Sequence, residues 1–281
     1  MNKPLVSITL AVKNGADTIR AAIESVLAQT YTNWELIVRD NCSTDDTISI
    51  VKSFTDPRIR LYINEYDKGA YINSSSLARM ASGEYLKSID DDSILYPECL
   101  EKQVQILSTR SDIVFVTSDT EYITPSGKKI SACVPFNKEV VTRDEYIKFT
   151  LLTGRGSIQE GCQSLWRTAA HFEAVEKFFS LGLADGLVNI YSSYFYKPAL
   201  WLTKGDMYVI HETLSSGRIE SNSNSLQFNQ VKLQGAWIRL LQKEGYHISL
   251  LLYITAKIMI FVRSAARRIV FSIAGRTRSK K

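Results

Sequence analysis

Hydrophobic and polar positions alternate in a regular order along the first 120 residues. Short apolar runs predict buried strands, and the stretches between them place apolar residues at helical spacing, as in Ile19, Ile23 and Val26. The predicted strands cover residues 5–12, 34–40, 58–64, 84–90 and 112–119. The predicted helices cover residues 16–29, a segment that ends near Phe54, residues 70–81 and a segment that begins at Pro97. This alternation predicts a mostly parallel α/β sheet with helices on both faces.

The pattern weakens after residue 120, where it predicts a glycine-containing loop at 153–161, helices at 185–195 and 226–244, and a strand at 205–213. With 45% hydrophobic and 22% charged residues, the 281-residue chain can bury a large core and does not have the composition of a disordered protein. The four cysteines, none of them at metal-ligand spacing, predict reduced thiols in the cytosol.

The formal net charge of +5 is distributed unevenly. All 29 acidic residues lie at or before Glu244, and eight basic residues follow it, so the C-terminal tail is predicted to contact something anionic. The opening "MNKPLVSITLAVKNG" has too short an apolar run for a signal peptide and predicts a strand. No stretch reaches the roughly 20 apolar residues that span a bilayer.

Acidic residues stand where two predicted strands end, the edge at which α/β sheets bind ligands. Asp90 and Asp92 lie on the same side of an extended chain, and their oxygen ligands suit Mg²⁺ or Mn²⁺. The alternative is a solvated acidic turn before a helix. Asp40 is placed to accept the imide N–H of uracil or thymine, or else to make an Asx-turn or an N-cap. Neither a dinucleotide fingerprint nor a P-loop follows the first strand.

Taken together, these segments resemble the inverting glycosyltransferases of family 2, whose fold is called GT-A. The matching segments, in the family's order and spacing, are "PLVSITLAVKNG", "SVLAQTYTNWELIVRDNCSTDDT", "DPRIRLYINEYDKG" and "ASGEYLKSIDDDSILYPECLEK". They cover residues 4 to about 107. The predicted fold class is therefore α/β, with a GT-A sheet and a C-terminal amphipathic helical extension.

The resemblance implies a nucleoside-diphosphate sugar donor, with UDP- or dTDP-sugars favoured. Asp92 would ligate Mn²⁺ or Mg²⁺ at the donor's diphosphate, where the cation acts as a Lewis acid on the departing phosphate oxygen. Asp90 or Asp91 would lie near the ribose. The donor-binding residues implied are Ala11, Lys13, Asp40, Gly69, Asp90 and Asp91.

Two further roles are implied in the second half of the chain. The family takes its general base from an aspartate, usually after a glutamate, that opens a helix. The matching segment "LADGLVNIYSSYF" gives Asp185, with Ala184 where the glutamate usually stands, and the alternative for Asp185 is an N-cap. His211 is implied as a third ligand of the metal or the diphosphate, and its alternative is a structural histidine.

The Q-x-x-R-W motif of processive synthases is absent, since "QSLWR" at 163–167 has the last two residues exchanged. The expected reaction is therefore the transfer of a single sugar to a hydroxyl of a glycan or lipid-linked acceptor, in the synthesis of a bacterial surface polysaccharide such as O-antigen or capsule. Residues 1–120 are expected to bind the nucleotide-sugar and residues 121–225 the acceptor, followed by a basic amphipathic tail at 226–281.

The tail contains "ISLLLYITAKIMIFV" at 248–262, which is apolar except for Lys257 and the two small hydroxyl residues, and then "RSAARRIVFSIAG". This pattern favours a helix in a membrane interface, with arginines on anionic headgroups, on the inner face of the cell membrane. The alternatives are a helix packed on the catalytic domain and a nucleic-acid arm, which the acidic site and the few aromatic residues disfavour. The chain is also expected to form a homo-oligomer.

Two rival functions are weighed against glycosyl transfer. A nucleotidyltransferase needs a basic, glycine-rich loop after the first strand, where "VKNGADT" offers one lysine and one glycine. A non-catalytic protein that binds sugar nucleotides at a membrane surface would keep the donor site without a general base.

Overall fold

The computed structural model describes residues 3–124, 128–132, 134, 136–153, 161–180, 202–218, 238, 241–242 and 245–258. The contacts within the chain divide it into two units. The first unit consists of Met1–Arg143 and Ser157–Ser223, and the second consists of Asp144–Gly156 and Asn224–Lys281.

The regular elements follow the predicted order through the first half of the chain. The described strands are β1 (Val6–Val12), β2 (Trp34–Asp40), β3 (Ile59–Ile63), β4 (Tyr85–Asp90), β5 (Ile94–Leu95), β6 (Ile113–Ile123), β7 (Lys129–Ala132), β8 (Val140–Val141), β9 (Ser164–Arg167) and β10 (Asp206–Arg218). The described helices are α1 (Ile19–Leu27), α2 (Thr47–Lys52), α3 (Ala70–Ala78), α4 (Cys99–Thr109), α5 (Arg143–Thr153), α6 (Thr168–Ser180) and α7 (250–258).

The strands form one sheet in the order β3–β2–β1–β4–β9–β6–β10–β5, with β7 beside β6 and β8 beside β10. The pairs β2–β3, β1–β2, β1–β4 and β6–β10 are parallel. The α/β class is confirmed, but the sheet is mixed, because β5, β7, β8 and β9 pair in antiparallel directions. These strands lie in regions where the sequence pattern is weak or the strand is only two residues long.

The centre of the sheet is buried on both faces. In β1 the apolar residues Val6, Ile8 and Leu10 are completely buried, and so are the intervening Ser7 and, nearly, Thr9. This is the pattern of a strand covered by helices on both sides, as expected for a parallel α/β core. Each fully buried aliphatic side chain of this kind contributes about 1.5–3 kcal/mol to folding.

Helices α1 and α4 begin close to where the sequence places them. Helix α1 buries the stripe that the helical spacing predicts, which comprises Ile19, Ala22, Ile23 and Val26. Pro97 does not belong to α4 but to the turn before it, and the N–H of Cys99 donates to the carbonyl of Tyr96 at 2.9 Å. The sequence therefore places the start of this helix two residues too early.

In the second unit, α5 buries Tyr146, Ile147 and Leu151. The hydroxyl of Tyr246 donates to Oδ1 of Asp144 at 3.0 Å. Of the helices that the structure describes, none combines the length and the apolar character needed to cross a membrane.

Candidate active site

The predicted donor residues of the first half meet at one edge of the sheet. Strand β1 lies between β2 and β4, and Ala11 is paired with Asp90 on one side while Val12 is paired with Asp40 on the other. Parallel strands lie about 4.8 Å apart, so the backbones of Asp40 and Asp90 are separated by two strand spacings, about 10 Å. The carboxyl ends of β2 and β4 thus frame the loop that follows Ala11.

Asp40 is completely buried at the end of β2. Its Oδ1 accepts the backbone N–H of Ser43 at 2.9 Å, in a turn where Cys42 adopts a positive φ of 65°. Its Oδ2 has no hydrogen-bond partner among the residues that the structure describes. A buried carboxylate oxygen without a partner is costly, and this cost is removed by a ligand that donates an N–H.

Lys13 and Gly69 contact one carboxylate, that of Asp67. The Nζ atom of Lys13 lies 2.5 Å from Oδ2 of Asp67, and the N–H of Gly69 donates to Oδ1 at 2.8 Å. The hydrogen bond to Asp67 raises the pKa of Lys13, and the pKa of Asp67 is lowered in return. Gly69 has a φ of 77°, which a residue with a Cβ rarely adopts.

Behind this ion pair lies a network of buried asparagines that the sequence analysis missed. Asn41 donates to Oδ1 of Asp67 at 2.5 Å and accepts from Asn64 at 3.0 Å, and Asn64 also donates to Asn73 at 2.9 Å. Arg39 joins the network by donating to Oδ1 of Asn64 at 2.9 Å. One signal was available, since Asn64 is the last residue of the predicted third strand and so shares the carboxyl edge with Asp40 and Asp90.

The aspartate run begins at the last residue of β4. The N–H of Ser93 donates to the carbonyl of Asp90 at 3.1 Å, and the N–H of Asp90 donates to Oγ of Ser93 at 3.2 Å, so the run forms a tight turn. The side chain of Asp90 is accessible to solvent. Limited solvation, followed by repulsion from Asp92 and then Asp91, raises the pKa of Asp90 to about 6.

The middle carboxylate of the run is turned toward helix α1. The Oγ1 atom of Thr18 donates to Oδ2 of Asp91 at 2.7 Å, and a Cβ at Gly15 would lie 2.5 Å from the same oxygen. Asp91 thereby ties the turn after β4 to the loop after β1.

The chemistry of this edge fits a divalent cation. Asp90 and Asp92 present hard oxygen ligands. The pKa of Asp90 is raised by limited solvation first and by its acidic neighbours second, and a bound cation would offset both effects. His211 lies exposed in β10, where the pairing with β6 shifts between Ile210 and Thr213. Within the described ranges, no group of three or more His, Cys, Asp or Glu side chains is arranged to hold a metal. Asp185 lies outside the described residues.

Strand β4 is also anchored on its buried side. Lys87 is completely buried, and its Nζ donates to Oε1 of Gln103 at 2.8 Å and to the carbonyl of Ser164 at 3.3 Å. Gln103 in turn donates to the carbonyl of Gln163 at 2.7 Å. These bonds connect the strand that carries the aspartates with α4 and β9.

Several characterised or named proteins are similar to this chain. The Escherichia coli protein UDP-Glc:alpha-D-GlcNAc-diphosphoundecaprenol beta-1,3-glucosyltransferase WfgD is 41% identical over 123 residues, which are 44% of this chain and 48% of that protein. The putative teichuronic acid biosynthesis glycosyltransferase TuaG of Bacillus subtilis is 32% identical over 155 residues, 53% of this chain and 60% of that protein. The match therefore spans about half the length of the E. coli relative.

Two solved structures show the fold. TarS 1-349 from S. aureus, in complex with UDP, has a TM-score of 0.58 at 16% identity and is matched over 83% of this chain and 65% of that one. The mannosyltransferase PcManGT from Pyrobaculum calidifontis, in complex with GDP-Man and Mn²⁺, has a TM-score of 0.57 at 16% identity, with 100% of this chain and 81% of that one covered. These likenesses confirm the predicted GT-A architecture.

The family model described as glycosyl transferase family 2 matches residues 7–173. This range contains the end of β1, Asp40, and the run from Asp90 to Asp92, which the structure brings to one edge of the sheet. The chain therefore belongs to glycosyl transferase family 2.

Proposed function

We propose that this protein is a metal-dependent, inverting glycosyltransferase that moves one sugar from a nucleoside-diphosphate sugar to a hydroxyl of a glycan or lipid-linked acceptor. One observation carries the proposal. Asp40, with a buried Oδ2 atom that lacks a partner in the described chain, lies across β1 from the aspartate run that ends β4. A separation of about 10 Å between the two strand ends is comparable with the distance from a nucleobase to its diphosphate.

The nucleobase of the sugar donor is inferred from the chemistry of Asp40. A buried carboxylate accepts hydrogen bonds and does not donate them, so it selects a base with an N–H at its Watson–Crick edge. Uracil and thymine offer that imide N–H, and guanine offers its N1–H, so our preference for UDP- and dTDP-sugars over GDP-sugars follows the relatives. Support comes from TarS, which was solved with UDP and with UDP-GlcNAc, and from WfgD, whose name specifies UDP-Glc.

We assign Mn²⁺ or Mg²⁺ to Asp90 and Asp92. Asp92 would ligate the cation, with Asp90 beside it, and His211 is retained as a proposed third ligand of the metal or the diphosphate. The bound cation would neutralise charge on the diphosphate leaving group. Asp91 is held by Thr18, so its proposed contribution to donor binding is to fix the turn that presents its two neighbours. Ala11, Lys13 and Gly69 are proposed to line the same donor site.

The acceptor is assigned to the second half of the chain, residues 121–225, while residues 1–120 bind the donor. Asp185 is proposed as the general base, which takes the proton of the acceptor hydroxyl while that oxygen attacks the anomeric carbon opposite the diphosphate. Attack from that face inverts the configuration of the sugar. The diphosphoundecaprenol in the name of WfgD and the teichuronic acid in that of TuaG support a lipid-linked acceptor in the synthesis of a bacterial surface polysaccharide, at the inner face of the membrane.

The test is a donor panel with Mn²⁺ and a GlcNAc-diphospholipid acceptor, scored by release of free nucleoside diphosphate and by the mass of the product. UDP-Glc, UDP-GlcNAc, a dTDP-sugar and GDP-Man make up the panel. We expect release from a uridine or thymidine donor only, and an α-linked donor should yield a β-linked product in the NMR spectrum. Turnover of GDP-Man alone, or retention of the α configuration, would contradict the proposal.

Variants separate catalysis from binding. Asp185→Asn should bind the donor with the affinity of the unmodified chain and lose turnover by about 10²-fold or more, because general-base catalysis contributes typically 10²–10⁴-fold. A protein that only binds sugar nucleotides would show no turnover before the substitution and no change after it.

A further inference from the structure

Helix α7, at residues 250–258, presents an apolar face to solvent. Leu250 is 74% exposed, Leu251 77%, Ile254 45% and Ile258 55%, whereas Ala256 is completely buried. Leu250, Ile254 and Ile258 follow one another at intervals of four residues, so they lie on one side of the helix. In the described parts of the chain, this is the most concentrated group of exposed leucine and isoleucine side chains.

The charged residues on this helix and after it are all basic. Lys257 on the same helix is exposed, and its Nζ lies 5.5 Å above the ring of Tyr253. The 23 residues that follow Ile258 contain seven basic residues and no acidic one. An apolar helix face followed by a purely basic segment is complementary to a surface that is anionic outside and apolar beneath.

We infer that the face formed by Leu250, Leu251, Ile254 and Ile258 inserts into the interface of an anionic lipid membrane, while the basic residues contact the headgroups. A second copy of the chain would bring a second set of seven positive charges to the same contact, which opposes self-association through this face. A nucleic acid would complement the charge but would leave the apolar side chains in water. The biological sense of the inference rests on the proposed function, because a lipid-linked acceptor lies in such a membrane.

The experiment measures co-sedimentation of the full chain with vesicles that contain phosphatidylglycerol and, in parallel, with vesicles of phosphatidylcholine alone. We expect binding to the anionic vesicles that is at least about tenfold tighter than to the neutral ones, since each basic residue near an anionic surface contributes about 1 kcal/mol. Raising the salt concentration should weaken the binding to anionic vesicles.

Three variants of the full chain assign the contacts. The face variant combines Leu250→Gln, Leu251→Gln and Ile254→Gln, which keep helix propensity while removing apolar surface. The tail variant combines Arg263→Gln, Arg267→Gln and Arg268→Gln. The matched control is Ile130→Thr, because Ile130 is an isoleucine of comparable exposure, 44%, on strand β7. The face and tail variants should each lose about tenfold or more in binding to the anionic vesicles, and the control should bind as the unmodified chain does.

Three results would overturn the inference: equal binding to both kinds of vesicle, unchanged binding by the face variant, and a dimer that dissociates in the face variant when no vesicles are present. Binding of UDP in the presence of Mn²⁺ is measured on the same samples by calorimetry. Loss of vesicle binding with UDP binding intact would reject the membrane face and leave the proposed function standing. Vesicle binding without any nucleotide binding would support the membrane face and reject the proposed function.

Discussion

The hydroxyl of Thr18 donates a hydrogen bond of 2.7 Å to Oδ2 of Asp91, and this bond joins the start of α1 to the turn after β4. Gly15 makes the approach of the two segments feasible, since a Cβ there would lie 2.5 Å from the same oxygen and 2.7 Å from Cγ2 of Val12. The middle aspartate of the run thus fixes the backbone of the turn at the sheet edge.

Thr18→Val should therefore lower the free energy of unfolding by about 1–2 kcal/mol, because it removes a hydrogen bond to a charged group. Urea unfolding followed by circular dichroism measures the change. The control is Thr55→Val, at an exposed position, which should shift the midpoint by much less. An equal effect of the two substitutions would show that the bond to Asp91 contributes nothing to stability.

The convergence of Asp40 and Asp90 could be predicted from the sequence. Strands that alternate with helices pair in parallel, and the residues that end such strands share one edge of the sheet. The same rule could have identified Asn64, which follows β3 directly. Those inferences need only the positions of the strand ends along the chain, which the apolar pattern indicates.

The orientation of Asp91 could not be predicted in this way. In an extended chain it points away from Asp90 and Asp92, but its contact with Thr18 depends on the tight turn that Ser93 closes and on the absence of a side chain at Gly15. The position of β9 between β4 and β6 could not be predicted either. The insertion of an antiparallel strand depends on tertiary packing and produces no periodic pattern in the sequence.

Asp40→Asn should weaken UDP binding by about tenfold or more. The substitution places an amide where a carboxylate oxygen is buried without a partner, so at best one neutral acceptor replaces a charged one. The stability of the ligand-free protein should be unchanged or higher, since an uncompensated buried charge is removed.

Isothermal titration calorimetry with UDP and Mn²⁺ measures the affinity, and urea unfolding measures the stability. Asp46→Asn is the matched control, because Asp46 is exposed on the neighbouring loop and makes no side-chain capping bond. Equal UDP affinities of the Asp40 variant and this control would remove Asp40 from the donor site.

UDP should stabilise the protein against heat only when Mn²⁺ is present. A ligand that binds the native state at about 100 times its dissociation constant stabilises it by about 2.7 kcal/mol. Asp92→Ala should abolish the shift in melting temperature, because it removes the proposed metal ligand, and chelation of the metal with EDTA should do the same to the unmodified chain. A shift that survives both treatments would show that the nucleotide binds without a cation.

Glu35 should make folding stability depend on pH. It is 13% exposed and accepts hydrogen bonds from Oγ of Ser7 at 2.5 Å and from Oγ and N of Ser82 at 2.7 and 3.0 Å, and it pairs with Arg60. Burial on its own raises the pKa of Glu35, but the hydrogen bonds and Arg60 outweigh it and bring the pKa below the ordinary 4.5. The native state therefore binds fewer protons than the unfolded state in this range.

The stabilisation is fully present above pH 4.5 and is lost as the pH falls through the lowered pKa of Glu35. Glu35→Gln should thus cost about 1–2 kcal/mol at neutral pH and progressively less below the ordinary pKa. Urea unfolding across the pH series measures this difference. Glu24→Gln, on the exposed side of α1, corrects for the loss of one negative charge. Parallel pH profiles for Glu35→Gln and the unmodified chain would exclude this role.

The buried pair of Lys87 and Gln103 should show strong energetic coupling. Gln103→Leu removes the acceptor that lies 2.8 Å from Nζ of Lys87 and leaves that nitrogen with the longer bond to Ser164 in a buried site. We expect a loss of about 2–3 kcal/mol in the free energy of unfolding, because an unsatisfied buried polar group bears its full desolvation cost. Gln105→Leu, on the exposed side of the same helix, is the control and should change stability by less than about 0.5 kcal/mol.

Adding Lys87→Met to Gln103→Leu should recover part of that loss, since the double variant replaces both polar partners with apolar groups of similar length. The double-mutant cycle should then give a coupling free energy of about 1–2 kcal/mol. Additive effects of the two substitutions would mean that Lys87 is stabilised by the carbonyl of Ser164 alone. In that case β4 would be anchored to β9 rather than to α4, and donor affinity in the Gln103→Leu variant should remain at the level of the unmodified chain.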